Sequence, residues 1–138
     1  MLALTVGTAC GLPAFDPGDY RSKAVDAVEE TLSEARTAIF TAALAGRNRT
    51  FRSSAVVQLE DAEKAAAGVT DDFAAVLPPD DRSQALRQRL LPTLSEATDL
   101  ISRMRFAARR DDLEELERLA DALGDPARRL QRWLGSSA

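Results

Sequence analysis

The sequence predicts an all-α protein, a four-helix up-down-up-down bundle with a flexible N-terminal tail. Two features carry that prediction. Apolar residues recur at spacings of three and four across four segments, and β-branched residues are scattered rather than alternating, so strands find no support. Turn residues then fall between the segments at intervals that suit a bundle. At 138 residues the chain is one domain's worth of protein, and a hydrophobic content of 45% is too high for disorder.

The first helix is expected over 19–46, where Val25, Val28, Leu32, Ala35, Ile39 and Ala42 follow a 3–4–3–4–3 rule. Gly46 and Asn48 close it, leaving Asn48, Thr50 or Ser53 to cap a second helix over 50–77. That helix carries Ala55, Leu59, Ala62, Ala66, Val69, Phe73 and Val76, and Pro78-Pro79 stops it. Asp80 and Asp81 suit the start of a third helix over 80–109, with Leu86, Leu90, Leu94, Ala97, Ile101, Met104 and Ala108 along its stripe. Pro92 should kink it. Asp111, with Glu114 three residues on, suits the start of a fourth helix over 112–134. Its stripe is Leu113, Leu116, Ala120, Leu123, Ala127, Leu130 and Leu134, with Trp133 as a lid over the core. Gly124-Asp125-Pro126 fits either one bent helix or two coaxial ones. Residues 135–138 form a short tail. Connections of two to six residues make neighbouring helices antiparallel.

Composition removes whole classes of chemistry. The chain has no histidine and one cysteine, which excludes disulfide frameworks, Cys/His zinc sites, Ser-His-Asp and Cys-His catalysis, and di-iron bundles built on Glu-x-x-His. No cofactor and no metal site are expected. Paired acids such as Glu29 and Glu30, or Glu114 and Glu115, have no calcium-loop or phosphate-loop context and read as solvated helix faces. Acid–base catalysis in a cleft opened by Pro92 has no better support. Asn48-Arg49-Thr50 matches a glycosylation sequon and is read as a turn. Methionine and aromatic residues on the stripes are core, not a haem box.

Residues 1–18 differ from the rest: a small, apolar opening without charge, then Gly11, Pro13, Pro17 and Gly18. Within it, Gly7-Thr8-Ala9-Cys10 resembles the lipobox of bacterial lipoproteins, where small residues admit the signal peptidase and the cysteine thiol takes the diacylglyceryl group. The resemblance covers about ten residues. It departs from the pattern by carrying Gly7 where leucine is usual, and by having nine residues and no basic one before Cys10. An in-frame upstream extension with basic residues and a longer apolar run is the corresponding expectation. The resemblance implies lipidation at Cys10 and a tether running to residue 18. Arginine outnumbers lysine sixteen to two and alanine is abundant, a bias usual in GC-rich genomes; together with the lipobox-like segment it resembles an actinobacterial exported protein.

In an up-down bundle the first and third connections share one end. Arg47, Arg49 and Arg52 lie at the first, and Arg103, Arg105, Arg109 and Arg110 at the third. Opposed only by Asp111, Asp112 and nearby glutamates, they form a candidate site for an anionic envelope component such as a polyanionic polymer, an acidic protein face or lipid headgroups; alternatively they complement helix C-termini and stay solvated. A net charge of −4 and few aromatics argue against nucleic acid. Two functional expectations follow. One is a non-enzymatic, membrane-tethered lipoprotein of the bacterial cell envelope acting as a binding or scaffold module. The other is a cytosolic interaction module that assembles through its bundle, as a homodimer.

Overall fold

The computed structural model describes residues 16–137. Four helices, α1 (Pro17–Gly46), α2 (Arg52–Ala75), α3 (Asp81–Arg109) and α4 (Leu113–Ser137), form a four-helix bundle with no strand among the described residues. α1 packs against α2, α4 and, across the diagonal, α3, whereas the backbones of α2 and α4 stay apart. Side-chain volume accounts for this rhombic section. The buried face of α1 is mostly small, with Ala24, Ala27, Ala35, Ala38, Ala42 and Ala45. The larger Leu90, Leu94, Ile101 and Met104 of α3 therefore have room to reach it. Ala55, Ala62 and Ala66 give α2 a similarly shallow face, and Leu116, Leu119, Leu123 and Leu130 of α4 supply bulk opposite.

The core divides into two clusters along the axis. One gathers Ala35 to Ala45 of α1, Ala55 to Ala66 of α2, Ala97 to Ala108 of α3 and Leu116 to Leu123 of α4. The other centres on Tyr20, Val28, Leu32, Phe73, Leu90, Leu94 and Leu130, with Trp133 and Leu134 packed over it. Tyr20 and Phe73 meet with ring centroids 5.5 Å apart. At the division Thr70 donates to the Ala66 carbonyl (2.8 Å) and lies 3.3 Å from the Thr98 hydroxyl, while Thr98 donates to the Leu94 carbonyl (3.1 Å). Local carbonyls thus satisfy hydroxyls that burial would otherwise penalise.

Several boundaries differ from the sequence expectations, each for a local reason. α1 starts at Pro17, so Pro17 and Gly18 belong to the helix and not to the tether. Asp16 caps it by accepting from the Asp19 amide at 2.8 Å, and proline in the first turn has no N–H to leave unpaired. α2 begins at Arg52, with Phe51 in the N-cap position and no side-chain cap bond, so none of Asn48, Thr50 and Ser53 caps it. α2 ends at Ala75, two residues early, and the Arg87 guanidinium donates to the Val76 carbonyl just beyond (3.1 Å). Asp112, not Asp111, caps α4 by accepting from the Glu115 amide (3.1 Å). α4 is one helix through Gly124-Asp125-Pro126, and it continues through Gly135 to Ser137 where a tail was expected. α3 likewise runs unbroken past Pro92.

Candidate functional site

The first and third connections are built alike. Each of α1 and α3 ends in a Schellman motif: Asn48 and Arg49 amides donate to Ala45 and Leu44 carbonyls (3.1 and 2.9 Å), and Asp111 and Asp112 amides to Ala108 and Ala107 (3.1 and 3.0 Å). The residue in the left-handed position is Asn48 in one (φ 52°) and Asp111 in the other (φ 57°), short polar side chains that tolerate that region. The two turns lie together at one end of the bundle, flanking a small cavity of about 110 Å³ lined by residues including Asn48, Arg52, Asp111 and Leu113. This is the end where the seven arginines were expected to gather.

Their ion pairing separates them into two groups. Arg105 of α3 is engaged across the α2–α3 seam by Glu63: its Nε donates to Oε2, and Nη2 lies 3.4 Å from Oε1. Its guanidinium also covers the Phe106 ring at 4.4 Å. Burial alone would raise the Glu63 carboxyl, but hydrogen bonds from Arg105 and Ser102, with the Arg105 and Arg109 charges, hold it below the usual carboxylate range. Arg103 reaches Glu115 and Arg109 reaches Glu60, both at 3.9 Å, and Arg118 shares Glu115. By contrast Arg47, Arg49, Arg52 and Arg110 make no ion pair among the described residues. The end remains basic chiefly through its first connection.

That connection also exposes apolar surface. Phe51 is 82% exposed, and Phe106 and Leu113 are partly exposed at the same end. Phe51 does not fold over the helix end but stands out into solvent.

Acids gather elsewhere. Glu34 is held above the usual carboxylate range by burial first, and then by the charges of Glu30 and Asp61 beside it on the α1–α2 face. Beside Pro92 an open groove of about 470 Å³ between α3 and α4 is lined by Glu96, Asp99, Arg103 and Asp125. Glu96 there is paired with Arg129, and Asp125 with Arg128. Among the described residues no group of His, Cys, Asp and Glu is placed to hold a metal, and no helix is long and apolar enough to cross a membrane. Cys10 and the lipobox-like Gly7-Thr8-Ala9 lie outside the described residues.

No family model matches the chain, and no curated protein or solved structure matches it either.

Proposed function

We propose that the protein is a non-enzymatic lipoprotein, anchored through Cys10 on the outer face of a bacterial membrane, and that its bundle is a binding module whose arginine-bearing end takes an anionic partner. The observation that carries the reading is positional. The chain's single cysteine follows Gly7-Thr8-Ala9, and six residues later Asp16 caps the first helix of the bundle. An anchor there leaves the whole helical body clear of the acylated residue. The arginine end supports the binding role: Arg47, Arg49, Arg52 and Arg110 make no ion pair among the described residues, although Asp111 shares a cavity with Arg52 and the Arg110 charge acts on Glu115.

The test is acylation itself. Cells expressing the gene from its own locus are labelled with a fatty-acid probe, and membranes are washed in alkaline carbonate at high salt. Label on the protein and retention through the wash are expected, and both should vanish in Cys10→Ser. An unlabelled protein, or one labelled equally in Cys10→Ser, rejects the anchor. A soluble, unlabelled dimer by light scattering would instead favour a cytosolic interaction module.

A further inference from the structure

The α1–α2 hairpin carries an unusual combination at its tip. From Ala35 to Leu59 there is no acidic residue, yet the stretch holds Arg36, Arg47, Arg49 and Arg52 in a chain whose net charge is −4. The same stretch supplies Phe40, Phe51 and Val57, which are 63%, 82% and 56% exposed and are three of the six large hydrophobic residues exposed among those described. Phe40 lies on the penultimate turn of α1, seven residues before Arg47, which caps that helix. Phe51 occupies the N-cap of α2, where a polar side chain would bond a free amide and phenylalanine bonds none.

We propose that this tip docks on an anionic phospholipid surface, with Phe51 entering the headgroup layer and Arg47, Arg49 and Arg52 pairing with lipid phosphates; Phe40 and Val57 flank the contact on α1 and α2. The occupant follows from the pairing of two chemistries. A soluble polyanion would engage the arginines and leave three apolar side chains in water. A purely apolar partner would leave the guanidiniums unpaired or bury them at a cost. The lipid headgroup layer offers phosphates beside an acyl boundary within one contact depth, which is where long cationic side chains and aromatic rings settle together. Arginine suits the phosphates through its planar fork of donors. The inference deepens the binding role given to the arginine end above and does not need the lipid anchor.

The full chain carrying Cys10→Ser, which cannot be acylated, is mixed with vesicles of phosphatidylcholine alone or with 30% phosphatidylglycerol, and bound protein is measured by sedimentation. Binding to the anionic vesicles only is expected, weakening as salt rises. Each of the three arginines should contribute about fivefold near an anionic surface. The Arg47→Gln, Arg49→Gln, Arg52→Gln variant should therefore lose on the order of 100-fold in partition. Phe51→Ser should lose roughly tenfold while keeping the salt dependence. Circular dichroism checks that both variants remain folded. Phe51→Trp in a Trp133→Phe background should shift its emission to the blue on anionic vesicles alone. No vesicle binding, equal binding to neutral vesicles, an unaffected arginine variant, or unmoved emission from the Phe51→Trp chain overturns the proposal. So does binding to soluble polyphosphate that vesicles cannot match. Because the Cys10→Ser chain has no anchor, vesicle binding judges the tip, and carbonate-resistant acylation judges the anchor.

Discussion

Thr31 and Thr70 make a matched pair for asking what a buried hydroxyl costs this fold. Both are buried threonines inside helices. The Thr70 hydroxyl donates to the carbonyl one turn back, whereas the Thr31 hydroxyl is buried with no hydrogen-bond partner. Valine has nearly the same volume and helix propensity as threonine, so Thr→Val exchanges a hydroxyl for a methyl and little else. At Thr31 the exchange removes an unbonded hydroxyl, a burden of about 1–3 kcal/mol in protein interiors. A gain of about 1–2 kcal/mol is expected, or roughly 3–6 °C in melting temperature for a domain of this length. At Thr70 the same exchange removes a made bond and should cost about 1 kcal/mol. Urea unfolding followed at 222 nm reads both, as opposite shifts of midpoint with an unchanged slope. Tyr20 repeats the logic. Its hydroxyl is buried without a partner at bonding geometry, burial pushes its pKa up, and the Arg87 guanidinium offsets part of that rise. Tyr20→Phe should stabilise by about 1 kcal/mol. It lies about 16 Å along α1 from Thr31, so the two gains should add. Loss of stability in Thr31→Val would refute the reasoning, because it would mean that the hydroxyl is bonded in solution.

Backbone positions yield further expectations. Asn48→Gly and Asp111→Gly should each stabilise by about 0.5–1 kcal/mol in thermal melts, because both residues hold a left-handed conformation that glycine adopts without a Cβ penalty. Pro92→Ala should stabilise by on the order of 2 kcal/mol, since the ring is exposed and its replacement restores an amide donor inside α3. The Glu63 carboxyl is held below its unfolded value, so its stabilising share is full above about pH 4.3 and is lost as pH falls through the folded value. Glu63→Gln should cost about 1–2 kcal/mol at pH 7 and flatten the acid limb of the stability profile. Glu34 has the opposite sign: its folded value is raised, so the ionised form opposes folding at neutral pH, and Glu34→Gln should raise the urea midpoint there.

The four seams were legible because each needs only local spacing, and residues such as Leu59, Leu94, Ile101 and Leu123 sit in the core where the 3–4 rule puts them. The seams are wider than the rule allowed. Leu100, Ala107 and Leu119 are also buried, since each helix faces two neighbours and α1 and α3 face three. Thr41 and Thr70 were invisible as core because polarity argues for surface until a local carbonyl or a neighbour's side chain is known to be in reach, and Thr31 is buried with no such partner. Thr41 finds Gln58 at 2.9 Å, a partner 17 positions away. The cap of α4 slipped from Asp111 to Asp112 because the Schellman turn uses Asp111 for its left-handed step. At the candidate site, sequence placed seven arginines at one end but gave no means of telling Arg105, spent on Glu63 42 residues earlier, from Arg49, which is unpaired. That distinction depends on how α2 and α3 rotate against each other, which spacing within one helix does not encode.

The departures from good folding chemistry are not spread evenly. At the end where α1 and α3 begin, Asp16 and Asp80 cap by accepting from Asp19 and Ser83 at 2.8 Å each, and hydrogen bonding holds the Asp80 carboxyl below its usual range. At the far end, some 45 Å away along α1, α2 lacks a side-chain cap, two non-glycine residues sit at positive φ, the most exposed phenylalanine stands in solvent, and four arginines are unpaired. A local choice such as serine in place of Phe51 would supply a cap worth about 1 kcal/mol at no cost to the core. When a sequence is locally consistent across most of a fold and breaks the rules together in one place, that place is where selection has been answering to something other than stability. Here the broken rules share one chemistry and one place: exposed apolar side chains beside unpaired arginines, at the end where the α1–α2 and α3–α4 turns meet.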